Sequence, residues 1–108
     1  MSNEFMVYVT CKDKEEAKAI ASAVIEKRLA ACANIFSPHE SLYWWEGSVQ
    51  NEQEVAMVLK TPKERYHELE AAIKDFHSYE VPCIVAIPLE NGYNPFLQWI
   101  NDQTNSGA

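Results

Sequence analysis

The sequence has no local metal-binding motif: neither Cys-x-x-Cys nor His-x-x-x-His occurs in it. It also lacks a nucleophile elbow, a phosphate loop and a zinc-hydrolase pattern, so no residue is nominated as catalytic and a non-enzymatic role is expected. Basic residues are scarce, with 9 Lys and Arg against 16 Asp and Glu and a formal net charge of −7. Nucleic-acid binding needs clustered cations to neutralise phosphates, so that partner class is excluded, whereas cationic ligands suit the balance. The first apolar run, Phe5 to Val9, is too short for a signal sequence or a membrane span, and Met1 to Glu4 carries no positive charge. Three cysteines cannot all pair with one another. Together these features predict reduced thiols, a cytoplasmic location and no membrane insertion. No repeat or low-complexity segment is evident.

What remains is an ordinary globular composition: 108 residues, 47% apolar and 23% charged. That length predicts a single domain spanning 1–108, with a core over about 4–102 and a polar tail after Gln103. Phe5 to Cys11 reads as a strand, rich in residues that suit a pleated surface. Asp13 with Glu16 forms a capping box for a helix whose apolar stripe is Ala17, Ile20, Ala21, Val24 and Leu29, with Lys27 and Arg28 in its last turns. A second strand region from Ala31 to Trp45 is broken near Ser37-Pro38. Glu46-Gly47 turns tightly into a third strand, Ser48 to Lys60, making a hairpin arm that carries Tyr43, Trp44 and Trp45. Thr61-Pro62-Lys63-Glu64 reads as a helix start, with Thr61 as cap, and Tyr66, Leu69, Ile73 and Phe76 follow at helical spacing. The segment His77 to Pro82 reads as a loop. Cys83 to Leu89 reads as a fourth strand, apolar on both faces and therefore central or covered. Asn94-Pro95 opens a last helix.

The order is βαββαβ with an additional C-terminal helix. Right-handed crossovers make this an α+β, ferredoxin-like antiparallel sheet. Two helices cover one sheet face, and the apolar residues of the other call for a second copy.

Several segments resemble the CutA family of divalent-cation tolerance proteins. Leu29 to Ile35 is similar to the segment between its first helix and second strand. Ser41-Leu42-Tyr43-Trp44-Trp45-Glu46-Gly47 resembles its hairpin motif, and Leu59-Lys60-Thr61 the end of its third strand. His77-Ser78-Tyr79-Glu80-Val81-Pro82 resembles its His-Pro-Tyr-x-x-Pro loop, with Ser78 in place of Pro. Phe96-Leu97-Gln98-Trp99-Ile100 resembles its Tyr-Leu-x-Trp-Ile ending, with Phe96 in place of Tyr. The resemblance implies a homotrimer, similar in fold and assembly to PII-type signalling proteins, and a link to copper and other divalent cations. It implies no reaction.

Thiol and imidazole donors suit copper and zinc. The fold sorts them: Cys11, His77 and Cys83 are expected near one edge of the sheet and Cys32 at the other, where only a trimer would bring it to Cys11. His67 reads as a surface residue, and His39, in the bent strand, is uninformative. A free cysteine is more often a small buried hydrophobe, the preferred reading for Cys32 and an even one for Cys83. A second constellation is an intersubunit cleft gathering Tyr43, Trp45, Lys60, Tyr79, Glu80 and Trp99. In it Lys60 would hold an anion and Glu80 a cation or a donor. Interface packing is the alternative reading, and the stronger one for Trp45 and Trp99. Two functions follow: a copper-like cation binder, or a PII-like module holding a small ligand between subunits.

Overall fold

The computed structural model describes residues 3–105. In chain order the elements are β1 (Glu4–Cys11), α1 (Lys14–Glu26), β2 (Cys32–Ile35), β3 (His39–Trp45) and β4 (Ser48–Pro62). A short 3-10 turn, Lys63–Arg65, then leads into α2 (Tyr66–Phe76), β5 (Ile84–Pro88) and α3 (Asn94–Gln103). The sheet order is β2-β4-β1-β5, every pairing is antiparallel, and β3 pairs with the outer half of β4. This is the ferredoxin-like α+β arrangement, with a terminal helix added.

Strand alternation divides the sheet into two faces. Val7, Val9 and Cys11 of β1 share one face with Val55, Met57 and Leu59 of β4, and all six belong to the buried core. α1 presents Ala17, Ile20, Ala21 and Val24 to that core, and α2 presents Leu69 and Ile73. On the opposite face Met6, Tyr8 and Thr10 lie across from Lys60, Val58 and Ala56. α3 covers only one end of it: Lys60 Nζ lies 6.0 Å from the Phe96 ring centroid, and Asn101 donates to the Glu4 carboxylate at 2.6 Å. The rest is open.

Three local expectations differ from the structure. α1 ends at Glu26, so Lys27 and Arg28 lie in its cap and not in its last turn. There Arg28 adopts a positive φ of 60°, while Leu29 N–H returns to Val24 O and Arg28 N–H to Ile25 O. That is a Schellman closure with arginine at the position glycine usually fills, and it buries Leu29 beyond the helix. Thr61 does not cap α2. β4 continues through Pro62, paired with β1, and the Thr61 hydroxyl donates to Leu29 O at 2.7 Å inside the core. α2 itself starts at Tyr66 with no side-chain cap. Finally, β5 is an edge strand and not a central one. Its Ile84 and Ala86 pack on the core, while Val85 and Ile87 stay 49% and 48% exposed on the open face.

The hairpin turn is as its sequence implies. Trp45 pairs with Ser48, and Glu46 and Gly47 between them have φ of 49° and 83°. Two positive φ values in a two-residue loop match the right-handed twist of the strands it joins.

Candidate functional site

The turn after β1 and the loop after α2 meet at one end of the sheet. Asp13 caps α1 by accepting from Glu16 N–H at 2.8 Å. The Glu16 carboxylate in turn accepts from Lys12 N–H at 3.0 Å and from Ser78 N–H at 2.9 Å. His77 follows the last residue of α2. Its Nε2 lies 2.7 Å from Thr10 O, and its Nδ1 accepts from Tyr79 N–H at 3.1 Å. These partners assign the neutral tautomer with the proton on Nε2.

Cys11, Glu16 and His77 each place a ligand atom here, all within 4.8 Å of one another. Each donor is already engaged or protonated. Burial, then the charges of Glu16, Asp13 and Glu54, push the Cys11 thiol up to about 12, so it stays a thiol at neutral pH. Burial alone would raise the Glu16 carboxyl, but its hydrogen bonds to Ser78 and Lys12 and the proximity of His77 hold it below its ordinary value. A cation entering the trio must displace the thiol proton and one hydrogen bond of His77. Glu16 was read from sequence only as a cap. Its second partner lies sixty-two positions away, beyond any local signal.

The other expected metal donors lie elsewhere. Cys83 is exposed just before β5, and Cys32 opens β2 opposite Lys60, toward the far end of the sheet from Cys11.

The residues expected in the cleft fall into two groups on one chain. Tyr43, Trp45, Tyr79 and Glu80 line a groove of about 640 Å³ between the hairpin arm and the loop after α2. Thr10, Glu52, Glu54 and Cys83 complete most of its wall. The Tyr43 hydroxyl donates to Glu52 at 2.9 Å and the Tyr79 hydroxyl to Glu54 at 2.8 Å. Burial first, then the bond to Glu54 and the carboxylate charge, raises the Tyr79 phenol above its ordinary value, so it remains a donor. Lys60 and Trp99 stand apart. Lys60 donates to Asn34 Oδ1 at 2.8 Å, and Trp99 stacks on Phe96 with ring centroids 5.6 Å apart. Among the described residues, no helix is long and apolar enough to cross a membrane.

Comparison with known proteins accords with this architecture. A divalent-cation tolerance protein CutA of Archaeoglobus fulgidus is 47% identical over 96 residues, covering 89% of this chain and 93% of that protein. The human protein CutA is 41% identical over 99 residues, 92% of this chain but 55% of its own length. The chain thus spans nearly all of the archaeal relative and about half of the human one. The A. fulgidus structure, named a periplasmic divalent cation tolerance protein CutA, superposes with a TM-score of 0.92 at 44% identity, covering 94% of this chain and 99% of that one. The Thermus thermophilus divalent cation tolerance protein also superposes with a TM-score of 0.92, at 38% identity, covering 94% and 99%. The family profile described as CutA1 divalent ion tolerance protein matches residues 5–103, and the chain belongs to that family.

Proposed function

We propose that the chain acts in divalent-cation tolerance as a cytoplasmic homotrimer that binds copper, or a similar ion such as zinc, and catalyses no reaction. The observation that carries the metal reading is the convergence of Cys11, Glu16 and His77 within 4.8 Å, a mixed soft and hard donor set. Binding there releases the thiol proton, so affinity rises with pH. Cys32 and Cys83 lie outside the trio. Cys32 could add a donor only from a neighbouring subunit, and Cys83 only through a shift of the loop after α2.

The assembly reading is supported by the open sheet face, where Val85 and Ile87 on the exposed edge strand present apolar surface that a closed set of copies would cover.

The test is a copper and zinc titration under reducing conditions, with native mass spectrometry of the bound species. One ion per subunit, lost in Cys11→Ala and weakened in His77→Ala, is the expected result. Undiminished binding in Cys11→Ala would remove the trio from consideration.

The groove favours a second reading: a PII-like module that holds a small ligand between subunits. Its aromatic wall and its position beside the hairpin arm support that role.

A further inference from the structure

The groove between the arm and the loop after α2 carries one sign of charge. Glu52, Glu54 and Glu80 line it, and no Lys, Arg or His does. Glu54 is 7% exposed; its carboxylate accepts from the Tyr79 hydroxyl and forms no ion pair among the described residues, with His39 opposite it across the β3–β4 ladder. A buried carboxylate in such a setting is stabilised by whatever positive charge enters the groove. The walls are the rings of Tyr43, Trp45 and Tyr79, and aromatic faces attract weakly hydrated cations.

A bare metal ion fits this chemistry poorly. Metal cages need donor atoms converging on one point, and among the described residues only Cys11, Glu16 and His77 bring three such groups within 4.8 Å. The groove's carboxylates are spread along its wall. A volume of about 640 Å³ also greatly exceeds what an ion needs, and it suits an organic molecule.

We propose that this groove binds a small organic cation, an alkylammonium or quaternary ammonium, with its charge facing Glu54 and Glu80 and its alkyl groups against Tyr43 and Trp45. The proposal rests on reading the groove as a ligand site and names the ligand's class. It reverses the polarity expected from Lys60, which holds Asn34 outside this groove.

The test is a calorimetric titration of the intact protein with tetramethylammonium chloride. tert-Butanol serves as a neutral probe of similar shape and inorganic pyrophosphate as an anionic one. The expected result is saturable binding of tetramethylammonium alone, weakening as KCl is added, at least five-fold weaker in Glu80→Gln and at least five-fold weaker in Trp45→Ala. Glu80 is exposed, so its variant should fold, and circular dichroism and native mass check both variants. Equal binding of tert-butanol, binding of pyrophosphate alone, or full affinity in Glu80→Gln would overturn the cationic assignment while leaving a ligand groove in place. Failure of all three probes to bind would overturn both.

Discussion

The Glu16 carboxylate accepts the backbone N–H of Ser78 at 2.9 Å, pinning the first turn of α1 to the loop after α2. Hydrogen bonds to a charged acceptor contribute more than neutral ones, so Glu16→Ala should cost about 2 kcal/mol. The urea midpoint should fall with an unchanged slope. The pH dependence has a definite sign. The Glu16 carboxyl is held below its ordinary value in the folded state, so its contribution is complete above the unfolded value near 4.5 and is lost as pH falls through the folded one. The gap between wild type and variant should therefore close in acid. A gap that stayed constant from neutral pH to strong acid would show that the carboxylate is not the source.

Two of the three cysteines should differ in reactivity. Cys83 is exposed, whereas Cys11 is buried with its thiol raised to about 12. Iodoacetamide at pH 8 should label Cys83 rapidly and reach Cys11 only at the rate of unfolding. Peptide mapping by mass spectrometry separates the sites. Rapid native labelling of Cys11 would contradict its burial and weigh toward a thiolate.

Thr61 offers a test of where β4 ends. Its buried hydroxyl satisfies Leu29 O, so the near-isosteric Thr61→Val should cost about 1–3 kcal/mol by leaving that carbonyl unpaired. Thr61→Ser keeps the donor and should cost less. A helix cap would show the reverse emphasis, with valine affecting only the helicity of α2.

The hairpin turn is improvable. Glu46 holds φ 49°, a conformation in which Asn is better tolerated. Glu46→Asn should stabilise the arm by about 0.5 kcal/mol, with no effect on metal uptake. A lower melting temperature would mean that Glu46 makes contacts beyond its own turn.

Assembly should depend on the edge strand. Placing a charge at Ile87, by Ile87→Asp, puts an unpaired carboxylate on the open face and should shift light-scattering mass toward the single chain. An unchanged mass would mean that copies meet elsewhere.

The elements whose signals are local were readable from sequence. The Asp13 cap, the Glu46-Gly47 turn and the Pro95 helix start each involve neighbours within a few residues and occur as expected, although the Glu16 carboxylate closes onto Lys12 N–H, one residue before the cap. The misreadings share another cause. Thr61-Pro62-Lys63-Glu64 has every local mark of a helix start, yet pairing of Phe5 with Thr61 and Glu4 with Pro62 holds the segment in the sheet. Tertiary pairing outweighed local propensity there. β5 reads as central or covered because both its faces are apolar; it lies at the sheet edge, and apolar faces alone do not tell a central strand from an edge one. At the site, topology alone placed Cys11 near His77. It could not show that Thr10, Tyr79 and Ser78 already occupy the donors, because those bonds depend on the fold of the loop.

β4 is a single strand of 15 residues with two different environments. Its inner half, Val55 to Pro62, lies between β1 and β2 and is almost wholly buried; its outer half pairs only with β3 and faces solvent. One continuous backbone is therefore expected to open as two cooperative units. Amide exchange along it should divide near Glu54: inner amides opening only with the whole molecule, outer ones with the arm alone. Because Glu54 stands at that boundary and also lines the groove, anything bound there would slow the arm's separate opening and join the two units into one.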